Sequence, residues 1–148
     1  MHLSQRGLYA LKALIHLTEA YDQGLVKIHT IAAEESIPEK FLEGILVTLK
    51  NARVVASQRG REGGYRLRRP PEEIGVGDVV RIMDGPLAPF GDAVELAHRV
   101  KTETRHAGLF DLLLEVRNAS AAILDNTSLA DLMARNRRLQ AATRRAGS

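Results

Sequence analysis

The 148 residues predict a mostly α-helical fold with a small β-ribbon. Along most of the chain, apolar residues recur every three to four positions, which is the spacing of amphipathic helices. The period changes to two at "VVASQR" and "GYRLRR", where the glycine-rich turn "GREGG" separates two short strands. Only 4% of the residues are aromatic and there is no Trp, so the predicted core is aliphatic.

Length and composition fit one globular domain, or a small domain with a helical extension. The chain is 45% hydrophobic and 26% charged, which is enough apolar surface to bury a core. No apolar run reaches the roughly 18 residues that cross a bilayer. The start "MHLSQRGLYALKAL" lacks the apolar segment of a secretory signal. We therefore expect a soluble, cytoplasmic protein with no membrane partner.

The sequence contains no cysteine, which excludes disulfides, thiol catalysis and cysteine-ligated zinc or iron–sulfur sites. It also shows no phosphate-binding glycine loop and no acyl-transfer nucleophile motif. We assign no catalytic residue and no cofactor, and we predict that the protein is not an enzyme.

Positive charge is concentrated at the two ends of the chain. Residues 1–70 hold 11 Lys and Arg against 7 Asp and Glu, and residues 128–148 hold 5 against 1. Residues 71–127 hold 5 against 10. A polyanion would therefore be bound by the first half or the tail. The arginines of the tail segment "RNRRLQAATRR" either contact phosphate or only keep a frayed helix end in solution, and the second alternative is favoured.

The first two predicted helices follow from capping residues and apolar spacing. Ser4 can cap a helix that runs to about Tyr21, and "DQG" ends it. In "KIHTIAAEESI", Thr30 can cap a short second helix that turns Ile31 and Ala32 inward. The predicted buried face of the first helix is Leu8, Leu11, Leu14, Ile15 and Thr18.

A third helix is predicted in "IPEKFLEGILVTLKNARVV", with Pro38 in its first turn, where the missing N–H is no loss. Its buried stripe is Phe41, Leu42, Ile45, Leu46 and Leu49. In the following hairpin Tyr65 and Leu67 alternate with Arg66 and Arg68, so one face packs and the other is charged. Three helices and a two-stranded ribbon are the order of a winged helix-turn-helix domain, predicted for residues 1–85.

Beyond the hairpin, "PPEEI" is a predicted linker, and "VGDVVRIMDG" is a fourth helix ended by Gly85 and Pro86. Residues 86–107 are weakly patterned and are predicted to be a linker or sensing segment. Residues 108–148 are predicted to hold a long helix at about 109–124 and a last helix capped by Thr127 or Ser128. The small winged domain leaves little to cover the apolar stripe of the long helix, so we expect it to form a homodimer through Leu109, Leu112, Leu113, Val116 and Ile123.

In a winged helix-turn-helix domain the third helix enters the major groove of DNA. The residues of this helix that lie opposite its apolar stripe, or in its first turn, are the candidate contacts: Glu39, Lys40, Glu43 and Lys50. Lysine can donate to guanine, and Glu43 can accept from cytosine N4 and so discriminate against wrong sequences. An ordinary solvated helix face is the alternative.

The ribbon, or wing, lies along the neighbouring DNA backbone in this arrangement. Gly63 and Gly64, with Gly60, allow a tight turn and close approach, and Arg59 and Arg61 can contact phosphate. The start of the first helix adds three candidates, Ser4, Gln5 and Arg6. A hairpin that carries arginines only for solubility is the alternative.

Four segments carry a recognisable pattern: "LSQRGLYALKAL", "FLEGILVTLKNARVVASQRGREGGYRL", "PPEEIGVGDVVRIMDGP" and "TSLADL". In order and spacing they resemble the Rrf2 family of winged-helix transcription regulators, the IscR-like proteins. The resemblance is close over about residues 1–87 and looser beyond. It implies a homodimer whose long helix crosses to the partner subunit, and binding of double-stranded DNA at dyad-symmetric operators.

The chain departs from the family pattern in three places. Arg61 and Glu62 stand where the wing usually has Pro-Gly, and Ile37 precedes Pro38 where a Ser-type cap is usual. The three cysteines that iron–sulfur members carry in the region matching residues 90–106 are missing. The chain thus resembles the cysteine-free members, which sense a small molecule, a partner protein or no known signal.

The region of the missing cysteines still contains side chains of types that bind metal ions. The candidates are Asp92, His98 and His106, together with Glu95 and Glu103. Their spacing matches no metal signature, so we predict no metal site and favour a solvated loop and helix start.

These observations predict a sequence-specific DNA-binding transcription regulator that acts as a homodimer, with a repressor expected. Two recognition helices would enter successive major grooves about 34 Å apart, or a multiple of that distance. A dimeric protein-interaction module that regulates a partner enzyme is the alternative. The operator, the effector and the direction of regulation stay open.

Overall fold

The computed structural model describes residues 2–147 and confirms a mostly helical fold with a two-stranded antiparallel sheet. Within these residues the longer elements are joined in part by short 3-10 helices at Tyr21–Gln23, Pro71–Glu73 and Thr104–His106. Within the described range no helix is long and apolar enough to cross a membrane. In chain order the elements are α1 (Gln5–Glu19), α2 (Ile28–Glu35), α3 (Glu39–Asn51), β1 (Val55–Gln58), β2 (Gly64–Leu67), α4 (Val76–Asp84), α5 (Ala93–Thr102), α6 (Ala107–Asp125) and α7 (Leu129–Ala146).

The start of α1 is capped as predicted. The Ser4 hydroxyl accepts a hydrogen bond from the Gly7 N–H at 2.9 Å. The same hydroxyl donates to the Asp84 carboxylate at the end of α4, and the Ser4 N–H donates to that carboxylate at 3.0 Å. A side chain at Gly7 would collide with Asp84, since its Cβ would lie 2.6 Å from Oδ2. The first turn of α1 is therefore fixed against the end of α4.

α1 is the central helix, because it packs against α2, α3, α4, α7 and β2. Leu14 and Thr18 are buried as predicted. The predicted face is wrong at Leu8, which is exposed, and at Leu11 and Ile15, which are only half-buried. The small residues Ala10 and Ala13 are fully buried instead, because neighbouring helices can approach closely only where α1 carries small side chains.

α2 and α3 form the helix-turn-helix, joined at Ser36, whose φ is 55°. Ile31 and Ala32 are buried as predicted. Thr30 does not cap α2, because it lies inside the first turn and Lys27 occupies the cap position. At the start of α3 no side chain forms a cap; Pro38 is at the cap position itself, one residue before the predicted place.

The apolar stripe of α3 is confirmed at its four aliphatic positions, Leu42, Ile45, Leu46 and Leu49, all fully buried. The prediction is wrong at Phe41, which is 42% exposed. Its ring meets that of Tyr9 on α1 edge-on, with the centroids 5.6 Å apart. Phe41 therefore packs on the outside of α1 instead of entering the core.

The wing is an antiparallel hairpin in which Val55 lies opposite Leu67, and Gln58 opposite Gly64. Leu67 is buried and Tyr65 half-buried, while Arg66 and Arg68 are exposed, which confirms the alternation. A third segment, not predicted, joins the hairpin. Val26 exchanges two backbone hydrogen bonds with Tyr65, each 2.8 Å long. The wing is thereby continuous with the chain that leads into α2.

The segment "PPEEI", predicted as a linker, is part of the core. Ile74 is buried, and its carbonyl accepts from the Leu129 N–H at 2.9 Å. Leu129, also buried, begins α7 inside the main cluster, which also holds residues of α1, α2, α3, α4 and the hairpin. Ser128 rather than Thr127 caps α7, in a capping box with Asp131. From residue 135 onward the side chains of α7 are exposed.

Residues 86–107, in which the weak pattern predicted at most a helix start, contain the whole of α5. Asp92 caps it, since its carboxylate accepts from the Glu95 N–H at 2.8 Å. Leu96 is the buried residue of this helix. One buried position gives no repeat of apolar residues from which a helix could be predicted. Arg99 lies over the buried ring of Phe110, 4.0 Å from the centroid, so α5 packs on the start of α6.

The far end of α6 is joined to α4 by an ion pair. Arg81 donates to both carboxylate oxygens of Asp125, at 2.6 and 2.9 Å. A Cβ at Gly77 would lie 2.1 Å from the same carboxylate, so only glycine leaves room for it. The hydrogen bonds to Arg81 hold the pKa of Asp125 below its usual value of 3.8.

We expect Asp125→Asn to lower the free energy of unfolding by up to about 1 kcal/mol at neutral pH, since the pair is partly exposed. The pKa of Asp125 is lower in the folded chain than in the unfolded chain. Its contribution is therefore present above about pH 4 and lost as the pH falls through the folded pKa. Urea unfolding from pH 6 to pH 2 should show the difference between wild type and variant shrink.

Asp111→Asn, which removes an exposed carboxylate elsewhere on α6, is the matched control and should change neither stability nor its pH dependence. A constant gap between wild type and Asp125→Asn over the whole range would contradict the role of the ion pair.

Candidate nucleic-acid interface

One face of the winged domain brings together the outward side of α3, the start of α2 and the wing. They line an open groove, in which the cations of three different elements meet. The residues that give this groove its character are Lys27, His29, Val47, Lys50, Arg59 and Gly63. Lys27 and His29 were not predicted. They come from the start of α2, and the pairing of Val26 with Tyr65 helps to bring that segment to the wing.

The four predicted contacts of α3, Glu39, Lys40, Glu43 and Lys50, are all exposed. Two exposed residues without polar side-chain atoms, Gly44 and Val47, lie on the same side of the helix. A Cβ at Gly44 would meet no atom within 4 Å, so no internal packing requires glycine there. Glycine in a helix interior costs roughly 1 kcal/mol relative to alanine. The outward face of α3 therefore combines charged side chains with one apolar side chain and one position that has no side chain.

The turn of the wing depends on its glycines. Gly60 has a φ of 113°, which favours glycine. The Gly63 N–H donates to the Gly60 carbonyl at 3.0 Å, and a Cβ at Gly63 would lie 2.1 Å from the Gln58 carbonyl oxygen. This compact turn leaves Arg59 and Arg61 exposed, with Glu62 beside them.

Lys27 fastens the tip of the wing to the helix-turn-helix. Its ammonium group donates to the Arg61 backbone carbonyl. Next to it, Gly64 lies against Val26: a Cβ there would be 2.5 Å from the Val26 carbonyl oxygen. No sequence signal marks this arrangement, because these four residues belong to two segments about 35 positions apart. The wing is thus held in a fixed position beside α2.

The three candidates at the start of α1 differ in what their side chains do. Ser4 is engaged with Gly7 and Asp84. Gln5 is exposed and donates to the Tyr9 hydroxyl at 2.8 Å, while Arg6 is half-buried and donates to the Thr48 hydroxyl on α3 at 2.6 Å. Ser4 and Arg6 therefore fix α1 against α4 and α3, and Gln5 is the most accessible of the three.

The apolar stripe of α6 is largely uncovered in the single chain. Leu113 is half-buried, and Ile123 reaches 66% exposure. The other predicted members, Leu109, Leu112 and Val116, are exposed as well. A contiguous apolar face on one long helix is typical of a protein interface.

The candidate metal ligands are not gathered into a site. Asp92 caps α5, while His98 and His106 are exposed on α5 and on the turn before α6. Across residues 2–147 no group of three or more His, Asp or Glu side chains is placed to hold a metal ion.

The family model described as "Rrf2: Iron-dependent Transcriptional regulator" matches residues 3–135. The side chains present do not fit the iron of that description. The chain has no cysteine for an iron–sulfur cluster, and within residues 2–147 its His, Asp and Glu side chains are not gathered around a position for a metal ion.

Individual relatives agree with this match. An HTH-type transcriptional regulator of Mycobacterium tuberculosis is 39% identical over 134 residues, 89% of this chain and 81% of the relative. CymR of Bacillus subtilis is 33% identical over 132 residues, 89% of each chain.

Solved structures agree as well. The structure of CymR, the global cysteine regulator of B. subtilis, covers 89% of this chain and 95% of its own, at 31% identity and a TM-score of 0.74. IscR of T. potens covers 95% and 91%, at 27% identity and a TM-score of 0.72. These relatives are transcription regulators and not enzymes, and the chain belongs to the Rrf2 family of winged helix-turn-helix, DNA-binding transcription regulators.

Proposed function

We propose that this member of the family acts as a homodimer, binds a dyad-symmetric operator in the cytoplasm and represses transcription there. The observation that carries the proposal is the groove at which the outward face of α3, Lys27 and the wing arginine Arg59 meet. Three chain segments contribute cations to one surface, as the recognition of a polyanion requires. The uncovered stripe of α6 supports pairing of two such surfaces.

In the proposed complex each part of the surface has a separate role. The outward face of α3 enters the major groove, where Lys40 donates to guanine and Glu43 accepts from cytosine N4. Glu39 lies beside Lys40 in the first turn of α3, where a recognition helix meets the base edges. Lys50, Arg59 and Arg61 contact phosphate, which positions the domain without reading sequence.

The wing and the start of α1 complete the proposed interface. Gly63 and Gly64 allow the wing to approach the backbone, and Gln5 adds a contact at the start of α1. We propose that Ser4 and Arg6 act mainly by holding α1 in place, because their hydrogen bonds are internal.

The dimer is proposed to form through the stripe of α6: Leu109, Leu112, Leu113, Val116 and Ile123. A small-molecule or protein effector would act on α5 or α6 and change the spacing of the two recognition helices, since α6 packs on α5 and α4, and α4 packs on α3. Selection of bound fragments from random DNA tests the proposal as a whole. Recovery of a palindromic sequence is expected, and recovery of no preferred sequence would favour a protein-interaction module instead.

We expect Arg59→Ala to weaken binding to every DNA sequence, and to reduce the slope of log K against log salt by about one unit. The guanidinium is exposed at the groove and would release one counterion on phosphate contact. Fluorescence anisotropy at a series of salt concentrations measures the slope. Arg105→Ala, which removes an exposed arginine before α6, is the control and should leave it unchanged. An unaltered slope for Arg59→Ala would remove this residue from the phosphate contacts.

A further inference from the structure

Two residues on the outward face of α3 weaken the helix without contributing to the fold. Glycine and valine are poorer helix formers than alanine, leucine or lysine. Gly44 has no neighbour that excludes a side chain, and Val47 is 52% exposed. On the opposite side of the same helix the aliphatic residues are fully buried. The two weak helix formers are therefore explained by nothing inside the chain.

Gly44 and Val47 are three positions apart, so they are neighbours on the helix surface. Val47 also lines the groove that α3 shares with Lys27, Lys50 and the wing. A single exposed valine is common on protein surfaces. This one lines the same groove as three cations, and on its own helix it lies next to Gly44 and between Glu43 and Lys50.

The major groove of DNA presents donors, acceptors and one kind of apolar group, the C5-methyl group of thymine. The two methyl groups of valine suit contact with that group and can form no hydrogen bond with any other base edge. Gly44, which adds no atom beyond the backbone, lets the helix approach the bases closely enough for a short side chain to reach them.

We propose that Val47 reads a thymine in each operator half-site by contact with its C5-methyl group, and that Gly44 provides the close approach. The inference rests on the proposed function and adds a base and two residues to it. It predicts that the contact is apolar, and therefore independent of salt, unlike those of Lys50 and Arg59.

The test replaces thymine by deoxyuridine, which removes only the methyl group, at each thymine position of the selected operator, in both half-sites at once. For the wild-type protein we expect one position at which affinity falls about three- to tenfold per half-site. Val47→Ala should bind the unmodified operator with a similar loss. Deoxyuridine at that position should then cost the variant nothing more, and Val47→Ile should keep the dependence on the methyl group.

Gly44→Ala tests the second part. The free protein should unfold at a higher temperature, because alanine strengthens the helix, and yet bind the operator at least about tenfold more weakly. Lower affinity together with higher stability separates loss of approach from loss of folding. Wild-type affinity in Gly44→Ala would overturn the role of the glycine.

The outcomes also separate this inference from the proposed function. Salt-sensitive binding to a palindromic sequence, with deoxyuridine penalties that are the same in wild type and Val47→Ala, would overturn the reading of thymine and leave the regulator intact. Absence of any sequence-selective binding would overturn both.

Discussion

Leu112→Glu is expected to convert the proposed dimer into folded monomers and to lower operator affinity at least about 100-fold. Leu112 is 54% exposed in the single chain, so a monomer accommodates glutamate there without strain. In a two-fold dimer the substitution occurs twice at one interface, where each unpaired carboxylate would have to leave water. The dimer then dissociates, and binding of two linked half-sites, which gains about 100- to 10,000-fold over one, is lost.

Sedimentation velocity measures the mass, circular dichroism the fold and anisotropy the affinity. Asn118→Glu places the same charge on α6 but on the side away from the stripe, where Asn118 accepts a hydrogen bond from the neighbouring Arg117. This control should remain dimeric and bind as wild type. A Leu112→Glu protein that stays dimeric would put the subunit interface elsewhere.

Gly64→Ala is expected to release the wing from the helix-turn-helix and to lower DNA affinity about 10- to 100-fold, since the phosphate contacts of Arg59 and Arg61 would lose their position. The new Cβ would lie 2.5 Å from the Val26 carbonyl oxygen and 2.8 Å from its carbon, both backbone atoms that cannot rotate away. The segment at Val26 and the strand at Tyr65 must move apart, and the two hydrogen bonds between them break. A loss of about 1–3 kcal/mol in stability should accompany the change.

Amide hydrogen exchange follows this release directly, because the amides of Val26 and Tyr65 should lose protection while those of buried Leu46 and Leu49 keep theirs. Glu62→Ala, in the same loop but exposed, is the control and should keep both the protection and the affinity. Unchanged protection in Gly64→Ala would mean that the wing tolerates a side chain at this position.

The hairpin and every helix except α5 were predictable because their signals are local. Ser4 as a cap, the aliphatic stripe of α3 and the alternation around Leu67 all depend on residues a few positions apart. Leu8 and Phe41 were predicted wrongly for the opposite reason. Their burial depends on how closely neighbouring helices approach α1, and the small residues of α1 determine this distance. The spacing of apolar residues along one helix carries no information about it.

In the candidate interface, too, the locally determined parts were predictable and the parts that depend on long-range contacts were not. The residues of α3 and the exposed wing arginines lie where the pattern placed them. Lys27 and the pairing of Val26 with Tyr65 depend on a long-range contact between segments that carry no shared motif. α5 was not foreseen as a helix, because it buries Leu96 alone and its start is marked only by Asp92.

The exposed distal part of α7 gives the chain two different stabilities. The capping box at Ser128 and the buried Leu129 tie the first turns of α7 to the cooperative core, whereas side chains from residue 135 onward are exposed. An uncovered helical segment of this length is marginal in water, even when it extends an existing helix. Its backbone hydrogen bonds therefore open by local fraying from the C-terminal end, and calorimetric unfolding of the core does not report on them.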